Sequence, residues 1–374
     1  MELSWIEISD FRCYQALELR PDPGVNVLVG RNGAGKTSVL EAIGYLSSLR
    51  SFRRTPDAAL VRSGAPTAVL RGGVTGGSSE VRVEVEIPVT GRRRVRLNGK
   101  RPARHADVPA AVPLVAFLPD DLDLVKRGPA LRREYLDDLA ARLSPAAGAD
   151  LGDYERALRQ RNAMLRRDGR GADPLTLDVW DEQLAQAGAR VLCHRLRVLD
   201  KAAPRWSDAY GSVGGEGDDL AVRYQSSWAG PVGAATARQP EAHVGALRSA
   251  LADRRGRDLD QRTTTAGPHR DDPSLVLADR DLRTQASQGE QRSAALALRI
   301  AAYGLLEERH GRPPILLLDD VLSELDPGRA AGVMQLLPRG QVFVTTARDD
   351  EALDRGARWN VLSATVVRNE NVDP

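Results

Sequence analysis

Apolar positions at Leu3, Trp5, Ile6 and Ile8, then at Leu17 and Leu19, mark two short strands ahead of Val25–Val29, an apolar run that reads as a buried strand. A glycine-rich stretch follows at once, and beyond it Val39, Leu40, Ile43 and Leu46 recur at helical spacing, so the order is strand, loop, helix. Between 69 and 97, short alternating stretches (Val81, Val83, Val85, Ile87, then Val95 and Leu97) end at Asn98-Gly99, a pair suited to a type I′ hairpin turn. From about 123 to 210 the period becomes helical and arginine-rich, in Leu131–Leu143, Tyr154–Leu165 and Val179–Leu199, with a Gly/Asp/Pro break at 168–174. Residues 211–240 read as loops with one edge strand, Leu220–Tyr224. Beyond 265 the α/β pattern returns, and Ile315–Leu318 and Gln341–Val344 read as buried strands separated by a helix. There is no internal repeat and no long heptad run.

Composition narrows the class without deciding the function. A chain of 374 residues with 42% hydrophobic content can build a core and hold two domains. Basic and acidic residues nearly cancel, 53 against 51, so any grip on nucleic acid must come from a local patch. Only four of the basic residues are lysines, Lys36, Lys100, Lys126 and Lys201, which makes a lysine inside a glycine-rich loop the more telling. Cys13 and Cys193 have no disulfide or metal spacing and fit a reducing compartment. The start lacks a basic segment followed by an apolar one, and no run approaches the ~18 apolar residues of a membrane span. The expected location is the cytoplasm.

Four motifs carry the chemistry. Gly30-Arg31-Asn32-Gly33-Ala34-Gly35-Lys36-Thr37 has the form G-x-x-x-x-G-K-T in the strand, loop, helix setting that this form requires. Its glycines let backbone N–H groups approach phosphates, and the helix starting at Lys36 adds its dipole. Lys36 is then placed to reach the β- and γ-phosphates of ATP, and Thr37 to ligate Mg²⁺. The run Ile315–Leu318 delivers Asp319 and Asp320 to the C-terminal end of a buried parallel strand, where α/β sheets place ligands. Asp319 is the Mg²⁺ carboxylate, and Asp320 the candidate general base or water-orienting group; alone, the pair reads equally well as a helix N-cap. Ser287-Gln288-Gly289-Glu290-Gln291 opens a helix, which makes an anion site, while Ser287 with Glu290 also fits a capping box. Ser323-Glu324-Leu325-Asp326-Pro327 completes the series, readable also as a turn before a helix near Arg329.

The order and spacing of these four motifs resemble the ABC-type ATPases. That resemblance implies that Ser287, Gln288 and Gly289 contact, in trans, the γ-phosphate held by a partner's phosphate loop, and that Ser323 and Asp326 belong to the D-loop. It also implies an ATP-dependent head-to-tail homodimer with two nucleotides at the interface.

A finer resemblance is to the RecF family of bacterial recombination mediators, relatives of the SMC heads. It is carried by Phe11-Arg12-Cys13-Tyr14, Leu40-Glu41-Ala42-Ile43, Arg50-Ser51-Phe52-Arg53, Leu60 to Gly64, Phe117 to Leu122, Arg132 to Asp137, Gly267 to Asp272 and Leu316 to Asp326. These landmarks cover the two ends of the chain, whereas 138–260 match only in helical character. The implied activity is a weak, DNA-stimulated ATPase that binds gapped DNA and single-strand/double-strand junctions. The implied setting is cooperation with RecO and RecR in loading RecA, in repair, replication restart and SOS induction. The expected architecture is an α/β ABC-type P-loop ATPase head, a mixed sheet flanked by helices plus an antiparallel β subregion. Residues 1–122 and 263–374 form this head, and a mainly helical arm at 123–262 is inserted between them.

Departures from neighbouring families bear on the alternatives. A transporter ATPase carries a Q-loop glutamine where Phe117-Leu118-Pro119-Asp120 stands, and a switch histidine where Thr345-Thr346 stands. Both differences disfavour a transporter subunit. A non-hydrolysing, ATP-gated DNA clamp stays open, because Asp320 is shorter than the usual glutamate. Glu290 and Ser38 stand where RecF signatures carry glutamine and asparagine, which bears on hydrolysis rate. For DNA, Arg92, Arg93, Arg94 and Arg96 with Lys100 and Arg101 flank the Asn98-Gly99 turn and gather positive charge on one hairpin, against the rival of a solvated face balanced by acidic neighbours. His269 beside Asp271 and Asp272 has no metal spacing, and a structural use is expected.

Overall fold

The computed structural model describes the chain except residues 77–78, 104–106, 215–218, 322–339, 348–355 and 370–374. Strands β1 (Glu2–Phe11), β2 (Tyr14–Leu19) and β3 (Val25–Val29) lead into helix α1 (Lys36–Ser48). Then come β4 (Thr67–Thr75), β5 (Glu80–Pro88), β6 (Arg94–Leu97), α2 (Asp107–Ala111) and β7 (Leu114–Phe117). The middle of the chain holds α3 (Asp123–Lys126), α4 (Pro129–Leu143), α5 (Pro145–Asp168), α6 (Pro174–Gly214), β8 (Leu220–Gln225), α7 (Pro240–Asp253) and α8 (Arg255–Gln261). It continues with β9 (Asp272–Leu277), β10 (Arg280–Asp281), α9 (Leu282–Gln285) and α10 (Gln288–His310). The last strands are β11 (Ile315–Asp319), β12 (Val342–Thr346), β13 (Ala357–Leu362) and β14 (Thr365–Arg368). The helix expected between the last two buried strands, and with it Ser323 and Asp326, lies outside the described residues.

Two compact units result: Met1–Asp121 with Arg299–Pro374, and Leu122–Leu298. The first boundary lies beside the change of hydrophobic period near 123, and the second lies within α10. Strand pairing divides the later strands between the units. The α/β signal after 265 belongs to β9, whose partners are β8 and β10, all inside the second unit.

In the first unit an antiparallel sheet has the order β2-β1-β4-β5-β6, and a second sheet the order β14-β13-β3-β12-β11-β7, parallel apart from the edge strand β14. Helix α1 packs on both. Its Leu40, Ile43 and Leu46 share one core with Ile6, Ile8, Leu70 and Val85 of the first sheet and Leu28, Leu317 and Phe343 of the second. Each such side chain contributes about 1.5–3 kcal/mol by burial, so the helix that begins at Lys36 is held rigidly. The Asn98-Gly99 turn forms as expected: both residues have positive φ (51° and 76°), and Leu97 and Lys100 exchange backbone hydrogen bonds of 2.7 and 3.1 Å.

The second unit is built on α5 and α6, joined by the break at 168–174, with Pro204 inside the 41-residue α6. Its centre is ionic as well as apolar. Fully buried Arg161 donates to Asp181 (2.6 Å), Asp258 (2.7 Å) and Thr264 (2.9 Å). His269, Asp271 and Asp272 are structural: His269 Nδ1 meets the Tyr154 hydroxyl (2.6 Å) and Nε2 the Thr264 carbonyl, Asp271 accepts from Tyr224 and Trp228, and Asp272 accepts from Arg132.

Candidate nucleotide site

The glycine-rich loop leaves β3, the third strand from one edge of the parallel sheet, and ends at α1. Two of its glycines are required by the backbone, since Gly33 and Gly35 have φ of 82° and 113°. A third is required by space: a Cβ on Gly30 would lie 2.4 Å from the Val361 carbonyl oxygen. The β13–β14 hairpin therefore lies against the loop, and Ala364 N–H donates to the Ala34 carbonyl at 3.1 Å. Lys36 Nζ donates to the carbonyls of Gly30 (2.6 Å) and Arg31 (3.0 Å). Burial lowers the Lys36 pKa, while the nearby charges of Asp320 and Asp319 oppose the shift.

Strand order explains how residues far apart in sequence meet. β12 runs between β3 and β11, so the loop after β3 and the carboxylates after β11 open at the same edge of the sheet. Thr37 Oγ1 donates to Asp319 Oδ1 at 2.9 Å, across 282 residues of sequence. Thr345, opposite Asp319 on β12, donates to the same oxygen at 2.8 Å and accepts the Asp320 N–H at 2.9 Å. Burial raises the Asp319 pKa, and the hydrogen bonds from Thr345 and Thr37 work against that rise. A hydroxyl and a buried carboxylate so placed fit a hard divalent cation such as Mg²⁺, which takes one or two protein oxygens and completes its shell with phosphate and water. Asp320 has φ 53°, a left-handed conformation that costs on the order of 1–2 kcal/mol and turns the backbone sharply after the strand.

Thr345 was not singled out in the sequence as a site residue. Its signal was only that hydroxyl residues stand where transporter ATPases carry histidine.

Ser287 and Gln288 are exposed at the start of α10, within the second unit. The capping box forms: Glu290 N–H donates to Ser287 Oγ (3.3 Å) and Ser287 N–H to Glu290 Oε2 (2.6 Å). The Ser287 hydrogen bonds, with help from Arg280, hold the Glu290 carboxyl below its usual range. The remaining N–H groups of this first turn face a solvent-exposed helix end.

The basic hairpin separates into two kinds of residue. Arg93 is turned inward, 3.2 Å from both the Tyr45 hydroxyl and Asp57 Oδ2. Arg94 and Arg96 stand opposite Glu86 and Glu84 in strand register, with Arg94 3.4 Å from Glu86, so part of the run is balanced by acidic neighbours. Arg92, Lys100 and Arg101 are exposed, and the five arginines line one open cleft with Asp57.

Among the described residues no helix is long and apolar enough to cross a membrane, and no cluster of three or more His, Cys, Asp or Glu is placed to hold a metal.

Comparison with known proteins gives the family. The profile of the RecF/RecN/SMC N terminal domain matches residues 2–367. The DNA replication and repair protein RecF of Acidothermus cellulolyticus is 40% identical over 98% of this chain and 99% of its own, and that of Streptomyces avermitilis 39% over 98% and 100%. A solved structure of the recombination mediator protein RecF-ATP in the RecFOR pathway superposes with a TM-score of 0.91, at 30% identity, over 98% of this chain and 97% of that one. An SMC head bound to the C-terminal winged-helix domain of ScpA shares the fold, with a TM-score of 0.55 at 17% identity over 99% and 98%. A phosphate loop and a strand-end carboxylate meeting at Thr37 and Asp319, in an SMC-head fold matched along nearly the whole chain, place this protein in the RecF family.

Proposed function

We propose that this chain is an ATP-dependent recombination mediator that dimerises on DNA and acts with RecO and RecR to load RecA at single-strand gaps, in the cytoplasm. The observation that supports the reading is the 2.9 Å contact between Thr37 and Asp319, a hydroxyl and a carboxylate that would hold Mg²⁺ at the end of the glycine-rich loop.

Residues 30–37 wrap the triphosphate with backbone N–H groups, Lys36 leaves its two loop carbonyls for the β- and γ-phosphates, and Thr37 with Asp319 holds Mg²⁺. Mg²⁺ held by Thr37 and Asp319 would supply charge neutralisation on the transferring phosphoryl group. Thr345 keeps the Asp319 carboxylate oriented, and Asp320 positions the attacking water. Ser287, Gln288 and Gly289 of a second copy complete the γ-phosphate contact through an exposed helix start, and Ser323 and Asp326 complete the D-loop. Arg92, Arg94, Arg96, Lys100 and Arg101 hold DNA phosphates; with aromatics at 4% of residues the binding is backbone-directed and salt-sensitive. A weak turnover stimulated by DNA then opens the dimer.

Sedimentation of the protein with Mg-ATP and a gapped duplex tests this in one experiment. A dimer that forms on DNA only with ATP is expected, and Lys36→Arg should lower turnover about 100-fold. A Lys36→Arg protein with full turnover would overturn the assignment. Asp320→Asn separates an enzyme, which it slows, from a clamp, which it leaves unchanged.

A further inference from the structure

The basic hairpin and the phosphate-loop helix are tied together at one point. Arg93 reaches Tyr45 and Asp57, and the Tyr45 hydroxyl itself donates to Asp57 Oδ1 at 2.9 Å. Tyr45 is fully buried on α1, nine residues beyond Lys36 and so about 13 Å along the helix axis from it. Asp57 ends a strap, residues 51–57, that grips α1 again nearer the site. Ser51 donates to Glu41 of α1, and Arg12 makes a two-pronged pair with Glu41 (2.7 and 2.8 Å) while reaching Thr55 at 2.8 Å. The Phe52 ring lies so close to Gly44 of α1 that a Cβ there would approach it to 2.9 Å. Arg53, midway along the strap, is among the charges acting on Asp319. One short segment thus ties α1, at Glu41 and Gly44, to Asp57 at the basic cleft.

We propose that Arg93 is a positioning residue and not a DNA contact: through Tyr45 and Asp57 it links the arginine-lined cleft to α1, so that phosphate held by Arg92, Arg96 and Arg101 is sensed at the nucleotide. This rests on the reading of that cleft as the DNA surface. The pair is suited to exchange, because the side chains of Arg93 and Asp57 are 30% and 38% exposed, and solvent screening leaves such a pair weak. A polyanion seated on Arg92, Arg96 and Arg101 adds negative charge beside Asp57, which weakens the Arg93–Asp57 pair and slackens the strap at little cost. A buried pair such as Arg161 with Asp258, both fully enclosed, does not exchange in this way.

The test compares duplex binding and ATP turnover, with and without duplex at fixed ionic strength, in the parent, Asp57→Asn, Tyr45→Phe and a triple variant Arg92→Gln, Arg96→Gln, Arg101→Gln. Asp57→Asn and Tyr45→Phe should keep duplex affinity and basal turnover within about twofold, while the DNA-induced change in kcat or KM shrinks about fivefold or more. Asp57→Glu should restore it, and hydrogen exchange of α1 amides should respond to duplex in the parent but not in Asp57→Asn. An Asp57→Asn protein with the parent's full DNA response overturns the proposal, as does a parent in which neither turnover nor α1 exchange responds to duplex. Undiminished duplex binding by the triple variant would instead remove the DNA surface on which the proposal rests.

Discussion

His269 is the side chain whose protonation the fold opposes most clearly. Burial, with help from the charges of Arg270, Arg133 and Arg195, brings its pKa down to about 4, whereas an unfolded chain titrates it near 6.5. A depressed folded value means that its contribution to stability is present above pH ~6.5 and is lost as pH falls toward 4. The loss amounts to about 3 kcal/mol. Asp271, whose pKa burial raises, acts with the opposite sign, so the measurement must be a difference. Urea unfolding between pH 7 and 4 should show a steep fall for the parent and a flatter one for His269→Gln; equal slopes would contradict the burial account. Residues differ in how visible they were in sequence. Gly33 and Gly35 were legible because the loop's backbone demands are local. Thr345 was not, because a threonine inside an apolar strand is an ordinary β-former until its neighbour across the sheet is known to be Asp319.

At the scale of elements, the strand, loop, helix unit and the Asn98-Gly99 hairpin follow from short-range patterns and were read correctly. What short-range patterns do not contain is which strand lies next to which. The placement of β12 between β3 and β11 creates the site, and the docking of the β13–β14 hairpin on the loop constrains it. That docking gives a prediction. Gly30→Ala drives a methyl into the Val361 carbonyl, backbone that cannot rotate away, and should destabilise the first unit by about 1–3 kcal/mol. ATP affinity should fall with it, because the loop and hairpin must separate. Isothermal titration and thermal unfolding of the same sample check both, and an unchanged melting temperature would show that the hairpin is not a fixed support. The basic hairpin shows the reverse case: its charge run was legible, but the division between inward Arg93 and exposed Arg92 depends on Tyr45 and Asp57, distant in sequence.

For the whole molecule, the chain's two ends form one unit and its middle another, with the first boundary beside the change of hydrophobic period near 123. The α/β pattern after 265 does not by itself divide the units: β9 pairs with β8 inside the second, whereas β11 and β12 belong to the first. The phosphate loop and Ser287 fall in different units, and in the proposed dimer each loop takes its γ-phosphate partner from the other copy. The central claim, that two copies share each nucleotide, is tested most directly by mixing two inactive variants, Lys36→Ala and Ser287→Arg. Each mixed dimer carries one composite site with both native residues and one with neither, so an equimolar mixture should recover about a quarter of the parent's turnover. A mixture as inactive as its two components, under conditions where mixed dimers are detected, would contradict the claim.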